Sequence, residues 1–192
     1  MNFKILFSVI LVTLLTFSSL SVAKASSQTV MVLSDTYVEA QAASSAFGQK
    51  PYLEVADSEA TISLAFLMFN LSGVSYKFNA SSEIKLRLRC LNVTSLHVIC
   101  VRWCLNNTWN EDNLAFNNIS DFVRSEPESY VSVSSREVWY EWTITNIVHA
   151  ALEGGYGRLT LVLEVASSHT GYDYVFFYSR EASSASDYSP YM

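Results

Sequence analysis

Apolar and polar residues alternate along most of the chain after residue 28, with the period of two that is typical of β-strands with one face in water. Residues 84–90 show this most clearly, because three cations at the odd positions, Lys85, Arg87 and Arg89, alternate with apolar residues and a cysteine. Residues 62–69 are apolar at both parities, which indicates a central strand buried on both faces. The pattern predicts strands at 29–33, 37–40, 52–55, 62–69, 84–90, 98–103, 130–133, 138–144, 159–165 and 174–178.

Short links between most of these strands predict an all-β fold, an antiparallel two-sheet β-sandwich. A turn at residues 92–95 predicts that strands 84–90 and 98–103 form a hairpin. One segment has helical spacing instead, since apolar residues recur at 147, 148, 151 and 152 between Thr145, which can cap a helix, and Gly154, which can end one. We therefore expect one short helix near 146–153.

The connection over residues 106–128 is long and polar. It is expected to be either an ordered loop packed by Trp109, Phe116 and Phe122 or a glycan-bearing flap.

The first 25 residues have the features of a secretory leader. Lys4 precedes an apolar run at 5–20, and the Ala-Lys-Ala sequence at 23–25 is the small-x-small pattern that signal peptidase cuts after. The alternative is an uncleaved anchor, but a largely apolar run of 16 residues is short for a hydrocarbon core that needs roughly 20. We expect a signal peptide at 1–25, a single domain at 26–192 without a membrane span, and an extracellular or cell-surface location.

The part of the chain after the leader is acidic and rich in glycosylation sequons. It has ten Lys and Arg residues against 18 Asp and Glu residues, a formal charge of −8. Such a surface repels phosphate backbones, so nucleic-acid binding is not expected. N-x-[ST] occurs more often than chance would give, which predicts N-glycosylation. The acceptor residues are Asn70, Asn79, Asn92, Asn106 and Asn118.

Three cysteines permit one disulfide and leave one thiol free. Cys90 and Cys100 lie on the two arms of the predicted hairpin and are expected to form the disulfide, whereas Cys100 and Cys104 lie about 13 Å apart along one strand. No cofactor or transition-metal site is expected, because C-x-x-C is absent and the three histidines are scattered. Glu111 and Asp112 could supply oxygen ligands to a structural calcium ion.

Catalysis is not expected from the sequence. The histidines have no recognisable Ser or Cys partner, and G-x-S-x-G is absent. A glycosidase needs two carboxyl groups at a fixed separation, and pairs such as Glu126 with Glu128 exist. Alternating carboxylates on strands are typically a solvated face, so we interpret the chain as a non-enzyme.

Two features are candidates for carbohydrate binding. Trp139 has Glu137 and Glu141 at the same parity, an arrangement that could form a stacking platform; alternatively, the indole packs under the predicted helix. The cations at 85, 87 and 89 stand about 7 Å apart on one face and could meet carboxylates of an acidic polysaccharide such as a uronan; alternatively, they form an ordinary wet face. The candidate residues are Lys85, Arg87, Arg89, Glu137, Trp139 and Glu141.

Two further expectations concern the ends of the domain. Arg180 and Glu181 are expected to form a structural ion pair. Residues 29–33 form a β-strand that could leave its own subunit and add to a neighbour's sheet edge; alternatively, it pairs within its own chain.

Short motifs follow one another in order along the domain. They are 35–38 (DTYV), 47–48 (FG), 52–55 (YLEV), 66–72 (FLMFNLS), 84–88 (IKLRL), 109–111 (WNE), 116–118 (FNN), Trp139 with 143–145 (TIT), 177–181 (FYSRE) and 189–192 (SPYM). In this order they resemble the DNRLRE domain, a disaggregatase-related group also called carbohydrate-binding module family 96. Asn70 stands where that family has aspartate, and Phe116 where it has a second tryptophan.

The resemblance implies a jelly-roll β-sandwich of a kind that is usually found on secreted or surface proteins and sometimes on polysaccharide-degrading enzymes. We expect a secreted, non-catalytic domain that binds polysaccharide at the cell surface. The family continues past the proline into a last strand, whereas this chain stops at Met192, so an open sheet edge is expected. The alternative function is a structural subunit of an extracellular filament or surface layer that assembles by strand addition.

Overall fold

The computed structural model describes residues 28–74, 83–167, 173–182 and 185–192. The predicted leader at 1–25, the sequon at Asn79 and the histidine at 169 lie outside the described residues, so these expectations stay predictions.

The described residues form nine strands and two α-helices. The strands are β1 (Val32–Glu39), β2 (Tyr52–Asp57), β3 (Ile62–Asn70), β4 (Lys85–Val93), β5 (His97–Cys104), β6 (Ser129–Val133), β7 (Trp139–Thr143), β8 (Arg158–Val165) and β9 (Val175–Tyr178). The helices are α1 (Thr145–Glu153) and α2 (Ala185–Tyr188), and the short 3-10 helices are Ala40–Ala42 and Phe116–Asn118. The all-β class and the predicted helix are confirmed, and β1 is one strand where the pattern predicted two.

All strand pairs are antiparallel and follow one path, β6-β5-β8-β3-β2-β9-β4-β7, with β1 also paired to β3. The strand β2 joins two halves of this path. Its last residues, Ala56 and Asp57, pair with β3, whereas its first four pair with β9. The two halves are therefore continuous through β2 and share one apolar core.

The last residues of the chain lie between β1 and β4. Tyr191 forms bridges with both Met31 and Arg87, and the N–H of Val30 donates to the Met192 carbonyl at 2.7 Å. This closing segment, residues 190–192, thus fills the gap that was expected to be an open edge. Of the expected donor segment for strand addition at 29–33, residues 30–32 are paired within their own chain in this structure.

The predicted hairpin of strands 84–90 and 98–103 is wrong. The strand β4 pairs with β7 and β9, and β5 pairs with β6 and β8, so the turn between them leads from one half of the path to the other. Cys90 faces the main core, whereas Cys100 lies on the opposite face of β5 from the core residues Ile99 and Val101. The expected Cys90–Cys100 disulfide is therefore not formed, and all three cysteines are free and buried.

The main core holds α1 and the edge strand β7 in place. The indole of Trp142 is fully buried, donates to the Ile99 carbonyl at 2.9 Å and meets Phe177 edge-on at 5.8 Å between ring centroids. The helix adds Ile147, Val148 and Ala151 to the same core. Thr145 does not cap α1 as predicted, because its hydroxyl accepts the N–H of residue 84 at 2.9 Å.

A second apolar cluster lies under the long loop. Trp109 packs edge-on against Phe66 at 6.2 Å, and its indole N–H donates to the Thr160 hydroxyl at 3.0 Å. Phe122 meets the other side of Phe66 at 6.1 Å. The loop is thus ordered, and residues 105–124 cover the outer surface of β1, β3, β8 and β5, which we call the covered face.

Candidate functional site

The outer surface of β2, β9, β4 and β7, which we call the open face, brings together the six candidate residues. Leu86 and Leu88 are fully buried, so the cations that alternate with them lie on the outside. Arg87 stands opposite Glu141, and Arg89 stands opposite Trp139, in the register of β4 and β7. The sequence prediction of these residues is therefore consistent with one contiguous surface.

The cations of the open face are paired with carboxylates. Arg87 binds Glu141, and Lys85 lies 3.1 Å from the same carboxylate and 3.3 Å from Glu83. Arg89 lies 3.0 Å from Glu137. Three cations thus meet three carboxylates and leave no net charge. The hydrogen bonds from Arg87 and Lys85 lower the pKa of Glu141.

Glu137 reaches its partners from the turn before β7 rather than from the strand. Its φ of 62° is in the left-handed region, a conformation that costs a side-chain-bearing residue about 1 kcal/mol. Its N–H donates to the Cys90 carbonyl at 2.7 Å, and its carboxylate accepts the Tyr178 hydroxyl at 2.9 Å as well as Arg89. The turn therefore holds this carboxylate beside the outer side chains of β4 and β9.

Trp139 contacts the closing segment. Its ring lies 5.4 Å from that of Tyr191, edge-on, and the Tyr191 hydroxyl accepts a hydrogen bond from Arg87 at 2.9 Å. The guanidinium of Arg89 lies 4.1 Å from the ring centre of Tyr188. Trp139 is half-buried, so part of the indole stays accessible beside charged and hydroxyl groups.

Three aromatic residues, two in β9 and one directly before it, extend this surface, and the sequence reasoning missed them as site residues. Tyr174, Phe176 and Tyr178 alternate with the buried Val175 and Phe177. The rings of residues 174 and 176 stack at 4.4 Å. Aromatic residues at every second position of a strand were a visible signal, because they place all rings on one face.

The covered face contains one polar cavity of about 360 Å³, lined by Arg102, Phe122, Arg124 and Glu164. Glu164 binds the side chains of both arginines, and the Arg102 guanidinium also donates to the Ser125 carbonyl at 2.9 Å. The charges of the two arginines and of Glu164 are thus paired within the lining of the cavity. Phe122 is the aromatic residue among those that line the cavity, and its ring packs edge-on against Phe66.

A Ser–His–Asp contact exists, but its geometry does not fit a catalytic triad. The His97 side chain is buried, and its Nε2 lies 3.0 Å from Asp173 Oδ1 and 3.5 Å from Ser95 Oγ. In a triad the nucleophile and the carboxylate contact opposite nitrogens of the ring. Here both contact the same nitrogen, and the Ser95 hydroxyl donates to Asp173 at 2.7 Å, so the contact is a structural network.

The four described sequons differ in exposure. Asn70 and Asn118 are exposed, whereas Asn92 and Asn106 are half-buried. The side chain of Asn106 accepts the N–H of Thr108 at 2.9 Å and holds a local turn. Glycosylation of these residues stays a prediction.

The carboxylates of Glu111 and Asp112, predicted as a pair of calcium ligands, bond to different partners. The carboxylate of Asp112 accepts the Gln49 amide at 2.9 Å, whereas Glu111 points to Asp35 and Arg180. The predicted ion pair of Arg180 with Glu181 is present at 2.8 Å. The structure thus unites Glu111 with residues far from it in sequence.

A model of carbohydrate-binding module family 96 matches residues 26–190. The chain therefore belongs to this family, and the predicted resemblance is confirmed. A search of curated proteins found no match. Among the described helices, none has the length and apolar character needed to cross a membrane.

Proposed function

We propose that the protein is a secreted, non-catalytic module that binds polysaccharide at the cell surface through its open face. Membership of a carbohydrate-binding family supports a polysaccharide as the partner. The observation that carries the choice of face is that aromatic rings and hydrogen-bonding groups converge on the one outer surface that the long loop leaves uncovered.

The open face has the two components that sugar binding requires. A half-buried indole and the β9 rings offer apolar surface to the faces of sugar rings, which lowers the area exposed to water. Arg87, Arg89, Glu137 and Glu141 hold one another in fixed geometry, and such preorganised donors and acceptors can bond to sugar hydroxyls at little entropic cost. The carboxylates of Glu137 and Glu141 are both paired with cations. This pairing supports binding of the polysaccharide rather than its cleavage.

Location is inferred from the sequence. The apolar run and the Ala-Lys-Ala site predict export, and an exported polysaccharide-binding domain would act outside the cell. The sequons fit this location.

The first experiment is affinity electrophoresis of the purified domain in gels that contain single neutral or acidic polysaccharides. We expect at least one polymer to retard the wild type. The triple variant Lys85→Ala, Arg87→Ala, Arg89→Ala removes the three cations of the site. It should migrate without retardation.

The matched control is Arg124→Ala, which removes an arginine from the covered face and should be retarded like the wild type. Absence of retardation of the wild type by every polymer would contradict the proposed function. Normal retardation of a folded triple variant would contradict the assigned face.

A further inference from the structure

Four charged residues away from the open face bring together three distant parts of the chain. Asp35 lies in β1, Glu111 in the long loop, and Arg180 with Glu181 directly after β9. The N–H of Asp35 donates to Glu111 Oε2 at 3.2 Å, and the N–H of Arg180 donates to Asp35 Oδ2 at 3.0 Å. We call these residues the carboxylate cluster.

The spacing of the carboxylates fits a bound cation. One oxygen from each of Asp35, Glu111 and Glu181 lies within 4.8 Å of the other two. Calcium binds oxygen at about 2.3–2.6 Å, so two of its ligands are at most about 4.6–5.2 Å apart. A single ion can therefore contact all three carboxylates.

Two oxygens of the cluster receive no hydrogen bond from a protein donor. Asp35 is 0% exposed, and its Oδ1 accepts no hydrogen bond. The same holds for the buried Oε2 of Glu181. A buried acceptor without a donor destabilises the fold, and more so when it is charged, so these atoms need a proton or an ion.

The charge of the cluster points to the same conclusion. Three carboxylates and the guanidinium of Arg180 sum to −2 when ionised. Glu111 and Glu181 each share the guanidinium, whereas Asp35 contacts only the Arg180 backbone N–H. Uncompensated charge is expensive in a buried site, and one divalent ion neutralises this cluster.

We propose that the carboxylate cluster binds Ca²⁺, with Asp35, Glu111 and Glu181 each supplying one oxygen. The ligand set consists of carboxylates alone, which suits a hard ion, and calcium accepts irregular oxygen geometry more readily than magnesium does. The bound ion ties the long loop to β1 and to the end of β9, and so stabilises the covered face.

The test uses the purified full-length mature protein after chelator treatment and dialysis. Calorimetric titration with CaCl₂ should give one site, and the melting temperature should rise by about 5 °C or more at 100 times the dissociation constant. Asp35→Asn should lower the calcium affinity at least about 10-fold and remove most of the thermal shift. Glu181→Gln is the second variant and should do the same.

Asp112→Asn is the matched control, because Asp112 is adjacent to Glu111 but bonds to Gln49 instead; it should respond to calcium like the wild type. No heat and no thermal shift of the wild type up to about 10 mM CaCl₂ would overturn the proposal. A proton on Asp35 would then be the occupant, since burial and the Glu181 carboxylate raise the pKa of Asp35. Wild-type affinity in Asp35→Asn, or an equal response to MgCl₂, would also overturn it.

Discussion

The two outer surfaces of this fold use the same residue type for opposite purposes. On the covered face, Trp109 is only 9% exposed and its N–H is bonded to Thr160. On the open face, Trp139 is half-buried and its neighbours are a tyrosine and an arginine–glutamate pair. The comparison distinguishes a tryptophan that the long loop seals from one whose indole stays partly accessible beside polar side chains.

The charges of the two surfaces follow the same division. Glu164 on the covered face is bound by Arg102 and Arg124 at the margin of the loop, where the pairs fasten β5 and β8 to residue 124. Glu141 on the open face pairs two cations that no loop covers. Exposed pairs of this kind contribute little to stability because water screens them, and under the proposed function their arrangement serves recognition.

The largest expected effect is on stability and comes from Trp109→Ala. Removal of a buried tryptophan costs about 3–5 kcal/mol, and the loop loses its anchor on Phe66 and Thr160. Urea unfolding followed by circular dichroism measures the free energy of unfolding. A loss below about 1 kcal/mol would show that the loop does not seal the covered face.

The second effect is on binding and comes from Trp139→Ala. We expect affinity for the retarding polysaccharide to fall about 10- to 100-fold, as for a central aromatic contact, with the free energy of unfolding changed by less than about 1 kcal/mol. Calorimetry and urea unfolding give the two values. Trp139 would be a structural residue instead if stability fell as far as in Trp109→Ala and affinity did not change.

A smaller effect is expected from Glu141→Gln. The substitution removes the carboxylate that Arg87 and Lys85 share and adds one positive charge to the open face. Retardation by a polyuronate should therefore increase at low salt, and the increase should disappear at high salt. Glu126→Gln makes the same charge change at a fully exposed side chain on the other side of the molecule. Equal retardation of both variants would show that local pairing does not control the response.

The smallest effect is a shift in titration. Hydrogen bonds from Arg87 and Lys85 lower the pKa of Glu141, so its contribution to stability is present above the ordinary pKa and is lost as the pH falls through the lowered value. Arg87→Met should raise the pKa of Glu141 toward the ordinary value. Side-chain NMR titration measures it, and an unchanged pKa would mean that the Arg87–Glu141 pair does not persist in solution.

Local patterns predicted the strands and the outward side chains. The alternation at 84–90 places Leu86 and Leu88 in the core and the cations outside, and the observed strand β4 does so. The helical spacing predicted α1 to within one residue at its start. These features depend on periodicity, which the sequence carries within each element.

Pairing between distant elements was not predictable in the same way. β4 and β5 are neighbours in sequence, and nothing in their pattern shows that the turn leads to the other half of the path. The predicted disulfide was wrong for that reason. The role of Glu137 as a partner of Arg89 also depends on the turn geometry and on cross-strand register.

The carboxylate cluster shows the same limit. Asp35 lies between two predicted strands and had no predicted role, and its burial beside Glu111 and Glu181 results from contacts between segments more than 70 residues apart. The local sequence pattern does not show which distant residues will be in contact in the folded chain. The three-residue closing segment that binds Trp139 and Arg87 is likewise too short for a periodic pattern.

The most direct test of the account is to map the ligand by NMR. Backbone amide shifts are recorded while an oligosaccharide of the retarding polymer is added to the labelled domain. The account predicts that the largest changes occur in β4, β7 and β9 and at residues 190–192, with residues 105–124 unaffected. Shift changes that are confined to the covered face, with no change on the open face, would contradict the account.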